Sequence, residues 1–209
     1  MYCITCDKYD EPTAASLTDV TIRNAVKLWL RNKEQAISEY GHISQWDVSN
    51  VEDTSHLFEN ATNFNEAIGK WDVSNVKDMT RMFSDAEKFN QPIGDWNVSN
   101  VKKMHAMFTR ANSFNQSLEN WNVSNVTNMS DMFSCAKKFN QPVENWEISN
   151  VTDMDQMFFY ATNFNQSVNW KKINKDLIEV GDFITGSAYA YEFPDFCLNE
   201  DDPSNPNNI

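Results

Sequence analysis

The sequence predicts an α/β repeat solenoid, with one short strand and one short helix per 25-residue repeat and a capping helix ahead of the first. Three observations predict it. Trp46, Trp71, Trp96, Trp121 and Trp146 stand 25 residues apart, and Trp170 follows after 24. The hexapeptides WDVSNV, WDVSNV, WNVSNV, WNVSNV and WEISNV open the five successive units. Rows of Phe, Ala and Asn recur with the same period. A fixed period of this length marks a stack of units, none of which can bury its apolar face alone.

Residues 1–16 are polar and read as a flexible tail. Over 17–45 the pattern changes to a capping helix and lead-in. Asp19 is placed to cap a helix whose apolar positions Ile22, Val26, Leu28, Trp29, Leu30 and Ile37 recur at threes and fours until Gly41 stops it. Such a helix covers the open cross-section of the first unit. The repeats occupy 46–170. Ile173, Leu177, Ile178 and Val180 make 171–198 a C-terminal cap. The stretch 199–209 is acidic and rich in Pro and Asn, too poor in apolar surface to offset its ordering entropy, and reads as a disordered tail.

Within a repeat, Trp71-Asp72-Val73 alternates as a short strand with Asp72 outward. Ser74-Asn75 suits a helix start. Val76, Met79, Met82, Phe83 and Ala86 then form one helical face. Strands stack at about 4.8 Å and packed helices at about 8–10 Å, so the stack is expected to curve with its strands on the concave side. Ala61, Ala86, Ala111, Ala136 and Ala161 keep one contact small. Trp71, Trp96 and Trp121 and the amides Asn75, Asn100 and Asn125 read as structural ladders, the amides satisfying backbone groups of their own and neighbouring units. A second Asn row runs from Asn65 to Asn165. Cys135 shares its position with Asn60, Asp85, Arg110 and Tyr160, and so is expected to be exposed.

The copies at 89–111 and 114–136 follow F-N-Q-x-[IV]-x-x-W-[DN]-V-S-N-V-x-x-M-x-x-M-F-x-x-A. This pattern resembles the repeat of BspA-like leucine-rich-repeat surface proteins, the mycoplasma-lipoprotein-type 25-residue repeat, over about 43–170. The lead-in AVKLWLRNKEQAISEYGHISQW resembles that of members from algae and large viruses. The resemblance implies a leucine-rich-repeat-like right-handed coil, a place at a cell surface or virus/host interface, and roles in adhesion and host binding. It carries no catalytic motif. The chain departs from the family pattern in showing no export signal or lipid-attachment cysteine after an apolar stretch.

Composition narrows the function. A net charge of −13 argues against nonspecific binding to nucleic acid or to an anionic membrane. No run of apolar residues is long enough for a membrane span. Cys3 and Cys6 form a CxxC, but zinc needs two further ligands and no second CxxC or HxxxH is present. No metal, cofactor or catalytic residue is expected. His42, His56 and His105 form no metal-binding spacing, and no phosphate loop, nucleophile elbow or HExxH occurs.

The expected function is therefore a non-enzymatic binding module, a scaffold for protein–protein or surface-ligand interaction. Its candidate surface has two parts. The strand side carries Asp47, Asp72, Asn97, Asn122 and Glu147. The helix side carries Lys77, Arg81, Lys102, Lys103 and Arg110. The difference in sign suggests an unidentified acidic protein partner or surface ligand, or a second copy packed face to face. The alternative is a glycan-binding or glycan-processing protein using carboxylates of the concave face, with Glu119 and Glu144 beside Asp72.

Overall fold

The computed structural model describes residues 16–166. The readings for the Cys3–Cys6 tail, Trp170, the C-terminal cap and the acidic tail fall outside them. Two helices precede the repeats, α1 (Asp19–Arg31) and α2 (Lys33–Tyr40). Thr18, not Asp19, is the N-cap of α1. Its hydroxyl accepts from the Thr21 amide while the Thr21 hydroxyl accepts from the Thr18 amide, a reciprocal capping box. The single helix read from the sequence is split at Asn32, whose backbone leaves the helical region at φ −150° and ψ 88°. Its side chain then caps α2 by accepting from the Gln35 amide at 3.1 Å. Gly41, at φ 75°, ends α2. Helix α1 buries Ile22, Ala25, Val26 and Trp29, whereas Leu30, placed in the apolar stripe, is 48% exposed.

Behind α1 the chain passes through units one repeat apart, joined by parallel bridges Asp53–Asp78, Asp78–Lys103, Lys103–Asn128 and Asn128–Asp153. The expected helix of each unit is absent among the described residues, and pairing never extends beyond single bridges. Val76–Ala86 is instead a ribbon of turns. The amides of Met82, Ser84 and Ala86 donate three residues back, to Met79, Arg81 and Phe83. The alternate amides of Met79, Arg81, Phe83 and Asp85 donate forward to Lys103, His105, Met107 and Thr109 of the next unit at 2.8–2.9 Å. Arg81 (φ 54°) and Asp85 (φ 58°) make this possible by adopting left-handed backbone, as do His56 and Asn60, Ala106 and Arg110, Asp131 and Cys135, and Gln156 and Tyr160. A left-handed residue interrupts the helix and turns alternate amides outward. The apolar spacing of threes and fours serves the turns.

This removes the physical reason for the expected curvature, which required a layer of widely spaced helices. The ribbon and both Asn rows instead carry hydrogen bonds from unit to unit at about 2.6–3.1 Å. Units approach so closely beside Gly69 that an added Cβ would stand 2.4 Å from the Pro92 carbonyl oxygen.

The core between these contacts is a set of ring stacks. Phe58, Phe83, Phe108, Phe133 and Phe158 follow one another at 5.5–5.6 Å. Phe64, Phe89, Phe114, Phe139 and Phe164 do so at 5.9–6.1 Å. Within each unit the two rings lie 3.9–4.1 Å apart. Trp46 stacks on Trp71 at 6.2 Å and Trp121 on Trp146 at 6.5 Å. Four buried indoles of the stack keep their polar ends satisfied: Trp71, Trp96, Trp121 and Trp146 donate to the carbonyls of Ile43, Ile68, Ile93 and Leu118. Cys135 is not exposed as expected. It is 3% accessible and disulfide-bonded, and it packs with Tyr160 and Phe159. The aromatic side chains of the following unit close over a position that is open earlier in the stack.

Candidate functional site

The strand-side row proves to be a row of turn-closing side chains. Asp47, Asp72, Asn97 and Asn122 each accept through Oδ1 from the amide two residues on, Ser49, Ser74, Ser99 and Ser124, at 3.0–3.2 Å. The sequence signal is Asp or Asn two positions ahead of Ser, the Asx-turn pattern. Asp72, Asn97 and Asn122 remain exposed and so present their other polar atoms to solvent, and Glu147 is exposed too. Asp47 also takes the Ser49 hydroxyl at 2.6 Å, and the Ser49 hydrogen bonds hold its carboxyl below the usual carboxylate range.

Asn75, Asn100, Asn125 and Asn150 donate through Nδ2 to the carbonyls of Ser49, Ser74, Ser99 and Ser124 at 2.7–2.8 Å. In the second row the Oδ1 of Asn65, Asn90, Asn115 and Asn140 accepts from the amide of the next Asn in the row at 2.9–3.1 Å. Gln91, Gln116, Gln141 and Gln166 add amide donors to the same acceptors.

The basic residues do not form a free positive face. Lys77 reaches Glu52 at 2.6 Å, Arg81 reaches Glu59 at 3.0 Å, Lys103 reaches Asp78 at 3.1 Å and Arg110 reaches Asp85 at 3.6 Å. Each acid belongs to the preceding unit, so the opposite signs meet along the stack within one chain rather than on two opposed faces. Opposite charges a repeat apart, as at Glu52 and Lys77, are the sequence signal for this. Burial alone would raise the carboxyls of Glu59 and Asp78. Hydrogen bonds outweigh it, from His56 and Arg81 to Glu59 and from Thr80 and Lys103 to Asp78, and both are held low. Lys102 is exposed and has no ion pair among the described residues. Exposed pairs such as Lys77–Glu52 are worth about 0–1 kcal/mol and leave both groups open to a partner.

Asp72, Glu119 and Glu144 are exposed on different units, and Glu119 accepts from Asn145 at 3.2 Å. Among the described residues no group of His, Cys, Asp and Glu has the arrangement of a metal site. No described helix is long and apolar enough to cross a membrane.

Residues 30–136 and 99–187 each match the family described as Mycoplasma protein of unknown function, DUF285. The matches overlap, as a periodic chain allows. No curated protein and no solved structure matches the chain.

Proposed function

The chain belongs to the Mycoplasma DUF285 family, whose function is unknown, and we propose that this member is a non-enzymatic binding module, a repeat scaffold for a protein or cell-surface ligand. On this reading the stacked units form a right-handed, leucine-rich-repeat-like solenoid of the BspA-like surface type. One observation carries it. Asp72, Asn97 and Asn122 are exposed at equivalent positions of successive units, and each is fixed by its own turn. A surface of this kind is broad, open and pre-organised, which suits association more than enclosure of a small substrate. Beside it Lys102, exposed and without an ion pair among the described residues, supplies a positive charge that favours an acidic partner.

The test is binding of the immobilised full chain to a panel of extracellular-matrix proteins and to polysaccharides. Saturable binding to one protein, weakened at least tenfold by the double variant Lys102→Glu with Lys103→Glu, is the expected result. Turnover of an oligosaccharide that disappears in Asp72→Asn would replace the proposal with a hydrolase.

A further inference from the structure

The strand-side row changes residue type along the stack. Asp47 and Asp72 close the turn in the first two units, and Asn97 and Asn122 close it in the next two, each through the same hydrogen bond from the amide two residues on. Asp and Asn thus serve the fold alike at this position. Asn differs in one respect. Followed by Val98-Ser99 and by Val123-Ser124, it makes Asn-Val-Ser, an acceptor tripeptide for an N-linked glycan.

The chain holds eight tripeptides of the form Asn-x-Ser or Asn-x-Thr, so the motif alone selects nothing and the fold must sort them. Asn125 and Asn150 commit Nδ2 to the carbonyls of Ser99 and Ser124 at 2.7 Å. Asn128 commits it to Asp153 at 2.9 Å, and its serine, Ser130, is buried. Asn115 is partly buried, with Oδ1 engaged by the Asn140 amide and Gln141. Asn60 is exposed, but the Thr62 amide donates to its main-chain carbonyl at 2.9 Å, so the side chain is not held in the turn. The tripeptide of Asn165 ends outside the described residues. At Asn97 and Asn122 the side chain is exposed and Oδ1 is held at 3.2 Å by the serine amide. Neither Nδ2 there, nor the hydroxyl of Ser99 or Ser124, has a hydrogen-bond partner among the described residues.

Cys135, packed with Phe159 and Tyr160, supplies a second and independent observation, because it is disulfide-bonded. Disulfides form and persist in oxidising compartments, and N-linked glycans mark surface loops of chains that pass through them. We propose that Asn97 and Asn122 are acceptor sites for an N-linked glycan, delivered by a transferase from a sugar carried on a lipid diphosphate. Nδ2 attacks the anomeric carbon of the sugar. The nitrogen–carbon bond forms as the bond from that carbon to the diphosphate oxygen breaks, the lipid diphosphate leaves, and one Nδ2 proton passes to a base of the transferase. The turn fixes the amide plane with its nitrogen free, and the serine hydroxyl is free for the transferase to recognise. Stacked rings of these successive units lie 5.5–6.1 Å apart, so the two acceptors stand side by side and a glycan on one crowds the other. Each chain therefore carries one. The glycan becomes part of the surface presented to a partner. Its presence is read by mass and partner binding through Lys102, so either reading can fail alone.

The test is peptide mass mapping of the full chain isolated from its native source, before and after an amidase that releases N-linked glycans and leaves Asp at the acceptor. The expected result is a glycan released by the amidase, with the new Asp at position 97 or 122 and with Asn125, Asn128 and Asn150 unchanged. Asn97→Asp produced in the same source should still carry a glycan, on Asn122. The double variant Asn97→Asp with Asn122→Asp should carry none and melt with the amidase-treated parent, since Asp closes the same turn at positions 47 and 72. Unmodified asparagine at both positions in the native chain would overturn the proposal. A glycan on Asn125 or Asn150 would also overturn it, because the free nitrogen would then not be what selects the site.

Discussion

Arg23 Nη1 donates to the carbonyl oxygen of Ser55 at 2.6 Å, where interior units place a backbone amide of their neighbour. One turn earlier Asp19 does the converse, accepting the amides of Glu52 and Asp53. Two side chains of one helix face thus stand in for part of a missing unit. Arg23→Ala and Asp19→Ala should each cost about 1–2 kcal/mol in urea unfolding, the range for hydrogen bonds to a charged group at a partly exposed site. Amide exchange at Glu52 and Asp53 should speed up in Asp19→Ala alone. Unchanged stability in both variants would mean that the apolar face of Ile22, Val26 and Trp29 holds the cap unaided.

Ala106 sits at φ 51°, is 2% exposed and donates its amide to Ser130 of the next unit. Glycine adopts this backbone without steric penalty but costs more entropy on folding. Ala106→Gly is therefore expected to gain up to about 1 kcal/mol, since the left-handed penalty of about 1–2 kcal/mol slightly exceeds the entropic one. A β-branched side chain is far less tolerant, so Ala106→Val should lose more than about 2 kcal/mol. Thermal melts of the two variants separate these outcomes, and a tolerated valine would contradict the turn ribbon.

The ladders were legible because unit-to-unit contact demands the same residue at each step, and identity at a fixed period survives in the sequence. Phe83, Asn75 and Asn90 are of this kind. The local backbone was not legible. Val76, Met79, Met82, Phe83 and Ala86 repeat at helical intervals, yet a ribbon of three-residue turns brings the same positions inward. Its left-handed residues are Arg, Asp, Ala, Cys and Tyr as readily as Asn, since inter-unit hydrogen bonds impose the conformation. The candidate surface was half legible. Asp72 is exposed as read, but its turn-closing role and the pairing of Arg81 with Glu59 depend on partners that only the folded chain brings together.

The two Asn rows should differ in worth. Asn115 Oδ1 accepts from the Asn140 amide at 2.9 Å and from Gln141 Nε2 at 3.0 Å at a partly buried site. Removing it strands the Asn140 amide and leaves Gln141 Nε2 only the Asn115 carbonyl at 3.1 Å, so Asn115→Ala should cost about 1–3 kcal/mol. Asn100 gives one exposed bond to the Ser74 carbonyl, which water can replace. Asn100→Ala should cost about 1 kcal/mol or less. Truncating the buried Trp96 to Ala should exceed both, at about 3–5 kcal/mol. Chemical unfolding of the three variants checks the order, and an equal loss for both asparagines would mean that the Asn100 row is less open to water than its exposure indicates.

Asp131 and Asp78 should respond to pH in opposite directions. Burial pushes the Asp131 carboxyl above its ordinary value of 3.8, and the charges of Asp155 and Asp153 add to this while His105 opposes it. The native state then binds more protons than the unfolded chain between the two values, so stability from this residue falls as pH rises through that window. Asp131→Asn removes the cost while retaining a side chain that tolerates φ 56°. It should melt higher than the parent at pH 7, with the gap closing as pH drops below about 4. The Asp78 carboxyl is held low, since its hydrogen bonds with Thr80 and Lys103 outweigh the raising effect of burial. Its contribution is present at neutral pH and lost as pH falls through the native value. Asp78→Asn should therefore melt lower than the parent at pH 7 and converge with it in acid. If Asp131→Asn instead melted lower at pH 7, attraction between Asp131 and His105 would have to exceed the burial cost.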